Sequence, residues 1–182
     1  RNEAQQQVTA VQCIDLPGHV LIPGLINAHT HTPMTLFRGL ADDLPLMTWL
    51  SDHIWPAEAR FVHEEFVADG SRLAIAEMLR SGTTCFNDMY FFPDVTGRVA
   101  SQAGMRAVIG LIVIDFPSAW AGDADQYFDK AIAVHDQFRN DPLVHSAFAP
   151  HAPYSVSDAP LRRVQTLASE LDLPIHMHVH ET

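Results

Sequence analysis

Five short apolar runs, alternating with segments of helical periodicity, constrain this chain more than any other feature of its sequence. Strands alternating with helices at this spacing are the mark of βα units wound around a parallel sheet. Strands are expected from about Leu25 to the histidines at 29 and 31, then over residues 83–89, 105–114, 143–149 and 174–180. Pro23 and Gly24 interrupt the apolar stretch that begins at Val20, so the first strand proper starts after them. Because that stretch (Val20, Leu21, Ile22, Leu25, Ile26) is apolar nearly throughout, it reads as a strand covered on both faces. Helices are expected over residues 44–54, 64–80 closed by Gly82, 94–103 closed by Gly104, 123–139 capped by Asp123, and 157–171 capped by Ser157. The stretch 33–56 is otherwise loop-like. Residues 1–19 are polar with one short potential strand at 8–14, which reads as the end of a small β domain and a linker. The fold class is therefore α/β: a partial (β/α)8 barrel of five βα units over residues 20–182, with a remnant of a small N-terminal β domain.

Chemistry stands at the C-terminal ends of four of these strands: His29 and His31, Asp88, His151, and the group His176, His178, His180 and Glu181. In a (β/α)8 barrel the active site is built from those ends. Strand side chains alternate, so His29 and His31 point the same way, as a metal clamp requires. The bland reading of an isolated HxH is one packed and one exposed histidine, and the placement of the other groups argues against it. The same parity leaves His176, His178 and His180 all as candidate ligands. Glu181 has the opposite parity and reaches the metal side only if the strand has ended by His180. Asp88 reads as a cap or loop hydrogen bond rather than a ligand. His19, His53, His63, His135 and His145 stand away from the strand ends and read as surface or packing residues.

Four ordered segments, PGLINAHTH, LRSGTTCFNDM, APHAPYSVS and HMHVHET, resemble the metal-dependent amidohydrolase superfamily, and within it the 5′-methylthioadenosine/S-adenosylhomocysteine deaminases. The resemblance runs through residues 8–182. It implies one divalent metal, usually Zn2+, held by His29, His31 and His178, and so selects the middle histidine of the last cluster. It makes Glu181 the acid/base and gives His151 a catalytic and substrate-contacting place. Glu58, which spacing alone reads as a helix N-terminal charge, becomes a ribose contact. The implied reaction is hydrolytic deamination of an adenine nucleoside: metal-activated hydroxide attacks the amino-bearing ring carbon and ammonia leaves. His176 and His180 are then outer partners, packed residues or loop contacts.

Two departures accompany the resemblance. The family carries a further histidine on its sixth strand and a metal-binding aspartate on its eighth, so a longer chain is expected. Some members of the family also place arginines after the third strand, and LIVIDFPSAWAGDADQYF has none; Trp120, Phe116 and Trp49 are expected to form an apolar wall instead. A related hydrolase acting on a guanine or triazine ring remains an alternative, as does a non-catalytic fragment lacking the last ligand.

Composition narrows the partners. A formal net charge of −11 repels phosphate backbones, which argues against a nucleic acid polymer and leaves a single nucleoside open. Eleven histidines equal lysine and arginine combined, a count suited to metal or proton chemistry. The sequence shows no apolar run of membrane-spanning length and no secretory pattern, so a cytoplasmic protein with no membrane partner is expected. Two widely separated cysteines, Cys13 and Cys85, cannot build a disulfide framework. A homo-oligomer stays open.

Overall fold

The computed structural model describes Thr9 and residues 11–181. Four parallel strands lie in the order of the sequence: β1 (Leu25–Thr30), β2 (Thr83–Asp88), β3 (Arg106–Val113) and β4 (Val144–Pro150). Between and after them come α1 (Trp55–Phe61), α2 (Glu64–Arg80), α3 (Pro93–Ala103), α4 (Ala124–Phe138) and α5 (Asp158–Leu171). This is the expected α/β arrangement, part of a (β/α)8-type barrel. Parallel strands need a crossover between them, and each crossover here carries a helix.

The local signals act as their chemistry dictates. His63 caps α2, its side chain accepting from the Phe66 N–H at 3.1 Å, and Asp123 caps α4 by accepting from the Gln126 N–H at 2.9 Å. Gly104 closes α3 at φ +70°, in the left-handed region that glycine enters without steric cost. The core runs between the sheet and the helices, with Phe86, Ile109, Leu111, Val113, Phe148, Tyr127 and Phe128 almost fully enclosed. Gly70 lets α2 approach the 3-10 turn Thr32–Phe37 closely, since a Cβ there would stand 2.6 Å from the Pro33 carbonyl oxygen.

Four expectations need correction. Residues 174–180 do not form a fifth ladder; a single bridge joins Ile175 to Phe148. Pro174 has no N–H to give, and the register slips beyond it. The His176 N–H reaches Phe148 O while the His178 N–H reaches His151 O, so two residues on one side span three on the other. β1 is not covered on both faces: it pairs with β2 alone, and Leu25 and Ile26 are 57% and 72% exposed among the described residues. The stretch 33–56 is more helical than expected. A helical turn at Leu46–Thr48 runs through a π-helix, Trp49–Ile54, into α1 without a break, the Trp55 N–H reaching back to Leu50 O. Finally, residues 11–14 form no strand, and among the described residues none lies beside them to pair with; Val8 and Ala10 lie outside the described residues. No helix among the described residues is long and apolar enough to cross a membrane.

Candidate metal centre and adjoining pocket

Three histidines meet where the C-terminal ends of the strands converge. One side-chain nitrogen from each of His29, His31 and His178 lies within 4.8 Å of the other two. His29 Nε2 and His178 Nε2 are 3.1 Å apart. Two nitrogens bound to one tetrahedral zinc at ordinary bond lengths stand about 3.3 Å apart, so the spacing suits a single small cation.

Each ring also has its other nitrogen held. His31 Nδ1 bonds the Met89 carbonyl oxygen, and His178 Nδ1 bonds the His151 carbonyl oxygen at 3.0 Å. A carbonyl can only accept, so both Nδ1 atoms carry the proton and both Nε2 atoms present a lone pair. His29 Nδ1 lies 2.8 Å from His176 Nε2. This is the pattern of outer partners that orients metal-binding histidines. Burial lowers the pKa of His29 and His176, and takes His31 and His151 down to about 4, so the imidazoles stay neutral as ligation requires. The donor set therefore fits a divalent cation of the zinc type.

The structure separates the three histidines that parity left equivalent. His178 turns a nitrogen into the cluster, and His176 stands behind His29. His180 leaves the line altogether: its φ of +58° ends the extended run. That turn brings Glu181 to the cluster side, as the parity argument required, and Glu181 Oε2 accepts from the Tyr154 hydroxyl at 2.8 Å. Asp88 is no ligand; its Oδ1 accepts from the Thr32 N–H at 2.6 Å.

A cavity of about 590 Å³ opens beside the cluster. His31, His178, His151, Glu181, Glu58 and Trp49 all line it, and His29 belongs to the cluster at its edge. His151 follows β4, with its Nδ1 2.7 Å from Ser155 Oγ. Because the Ser155 hydroxyl donates to Ala152 O, His151 Nδ1 is the donor to it, and Nε2 is left to accept a hydrogen bond. Glu58 lies in α1 and enters the cavity. Burial pushes its pKa up, opposed by the hydrogen bond from Tyr90.

The apolar wall differs from expectation. Phe116 and Trp49 line the cavity, but Trp120 is buried against Tyr127, with ring centres 5.7 Å apart. Trp55 takes its place, meeting Phe116 edge to face at 6.2 Å. Tyr90 was also missed; standing two residues beyond the end of β2, it occupies the kind of position where barrel sites are built.

Known proteins share the sequence and the fold of this chain. Residues 20–182 match the model of the amidohydrolase family. The chain is 57% identical over 169 residues to a 5-methylthioadenosine/S-adenosylhomocysteine deaminase of Saccharophagus degradans, which covers 93% of this chain and 38% of that protein. It is 51% identical over 181 residues to the enzyme of the same name from Teredinibacter turnerae, covering 100% of this chain and 41% of that one. Among solved structures, an adenosine deaminase from Xanthomonas campestris with bound zinc superposes at a TM-score of 0.86 with 62% identity, over 88% of this chain and 36% of that one. The chain thus spans about two fifths of the length of the curated relatives it matches.

Proposed function

Because the chain belongs to the amidohydrolase family, we propose that in its full-length form it is a metal-dependent deaminase of adenine nucleosides, 5′-methylthioadenosine and S-adenosylhomocysteine among them. One observation carries the reading: a three-histidine cluster opens onto a cavity that is also lined by an acid/base carboxylate, Glu181, and by a second carboxylate, Glu58, suited to a diol. The high identity to deaminases by name supports the same substrate class.

His29, His31 and His178 would hold the cation, zinc or another divalent ion. When bound there, it supplies a Lewis acid and lowers the pKa of water toward neutrality. The remaining work belongs to side chains. Water adds at the amino-bearing ring carbon; one of its protons goes to the adjacent ring nitrogen and the other to the amine, which departs as ammonia. Glu181 is the group to move them, since Tyr154 occupies Oε2 and leaves Oε1 to take and return a proton. His151 Nε2 accepts a hydrogen bond from the attacking water and so fixes its direction. Glu58 accepts from the ribose hydroxyls, and Trp49, Trp55 and Phe116 pack against an apolar 5′ substituent. A guanine or triazine ring brings no diol, and Glu58 favours the nucleoside over both. Further, we place the protein in the cytoplasm; the free thiols Cys13 and Cys85 accord with a reducing compartment.

Ammonia release by the full-length protein from methylthioadenosine, S-adenosylhomocysteine, adenosine and guanine, with zinc content measured alongside, tests the proposal. Turnover of the adenine nucleosides with about one metal per chain is expected. Turnover of guanine alone, or of none of the four by metal-loaded protein, overturns it.

A further inference from the structure

Glu58 reaches the cavity from a helical excursion, residues 46–61, that rises from the rim of the sheet, and a carboxylate on such an arm needs something to hold it. The Tyr90 hydroxyl donates to Glu58 Oε1 at 2.7 Å. Tyr90 is 4% exposed, its ring packed 5.2 Å from Phe91 and 6.3 Å from His31 between centres. Burial pushes the phenol well above its ordinary range, so it remains a donor. We propose that Tyr90 is a positioning residue for the substrate's ribose, acting through Glu58. The inference rests on the nucleoside reading above.

The place of Tyr90 in the chain gives it this role. A carboxylate offers about four acceptor positions. Tyr90 takes one on Oε1 and fixes the rotation of the group, leaving the Oε2 positions and one on Oε1 to two neighbouring hydroxyls. The residue before Tyr90 is Met89, whose carbonyl oxygen holds His31 Nδ1. Two consecutive residues at the end of β2 therefore set the two ends of the site: Met89 orients a nitrogen of the histidine cluster, and Tyr90 orients the diol acceptor. The span between reacting ring and ribose is fixed by one stretch of backbone. A nucleoside tethered at the correct distance needs no rearrangement to present its ring carbon.

Kinetics of the full-length protein with Tyr90→Phe, Glu58→Gln and the double variant test this, on methylthioadenosine and on an adenosine analogue lacking both ribose hydroxyls. Tyr90→Phe should raise KM for methylthioadenosine about tenfold, the lower end for losing a hydrogen bond to a charged group, with kcat and zinc content unchanged. In the Glu58→Gln background it should add nothing, and on the analogue it should change KM less than about twofold. The same factor appearing in the Glu58→Gln background or on the analogue would mean that Tyr90 acts through packing, and would overturn the inference. If Glu58→Gln raises KM while Tyr90→Phe does not, this inference fails and the nucleoside reading stands. If Glu58→Gln leaves KM unchanged, the nucleoside reading fails and takes this one with it.

Discussion

Asp88 is buried, titratable and not a ligand, and its removal should weaken metal binding all the same. The end of β2 grips the end of β1 at three successive residues. The Met89 N–H donates to Thr30 O at 3.0 Å, Met89 O holds His31 Nδ1, and Asp88 Oδ1 accepts the Thr32 N–H at 2.6 Å. Thr32 is fully enclosed, so Asp88→Ala leaves its N–H without a partner, which costs about 1–3 kcal/mol. Loosening the peptide beside His31 should lower zinc affinity about 10- to 100-fold, the usual effect of losing an outer partner. Asp88→Asn keeps an acceptor at Oδ1 and should keep the affinity. The two variants also report on charge. Burial raises the Asp88 carboxyl from 3.8 to about 7. Between those values the folded protein binds more protons here than the unfolded chain, so stability falls as pH rises from about 4 to about 7 and then levels. The gap corresponds to at most about 4 kcal/mol, at about 1.4 kcal/mol per pH unit. Chelator competition measures the affinities, and denaturant unfolding of the metal-free full-length protein at pH 5 and pH 8 measures the slope. Histidines titrate in both proteins, so the difference between wild type and Asp88→Asn isolates this carboxyl. If Asp88→Ala melts earlier but binds zinc as tightly as wild type, the grip does not serve the metal. Identical pH slopes for wild type and Asp88→Asn would refute the charge argument.

Neighbouring substitutions after β4 should fail in different ways. Glu181→Gln should lose about 10²–10⁴ in kcat yet keep its metal, because it removes the proton carrier only. His178→Ala should lose metal and rate together, both read by zinc analysis beside kinetics. His176→Ala should keep one zinc per chain but bind it about 10- to 100-fold more weakly, since His29 Nδ1 loses its partner; unchanged affinity in a competition titration would remove His176 from the site. Gly70→Ala sets a Cβ 2.6 Å from Pro33 O, a backbone atom that cannot yield alone, so the turn after His31 must move. The variant should lose about 1–3 kcal/mol of stability by denaturant unfolding, despite alanine's better helix propensity.

What the sequence made legible was local. Side-chain parity is a property of any strand, so the common direction of His29 and His31 could be read without knowing what lay beside them. The caps at Asp123 and Gly104 act within a turn or two of their own position. Relations between distant segments were not legible. The fifth strand was lost because its register against β4 slips by one residue between His176 and His178, and no periodicity within residues 174–180 records the spacing of the acceptor carbonyls on Phe148 and His151. Trp120 and Trp55 are equally apolar; which one lines the cavity depends on Tyr127 receiving the first and Phe116 the second.

The choice among the three late histidines shows the limit most clearly. What distinguishes His178 from His176 is the partner behind each ring: a carbonyl oxygen for His178, and another imidazole for His176. A carbonyl fixes the tautomer and frees Nε2 for a cation, whereas His176 spends its Nε2 on His29 and stands outside the three-histidine group. Two of the three candidate ligands are oriented by main-chain oxygens, those of Met89 and His151. Every residue has such an oxygen, so the side chains at 89 and 151 carry no mark of the task their backbone performs. The ligands of a metal site can be written in a sequence, but the atoms that aim them appear only once the strand ends are brought together.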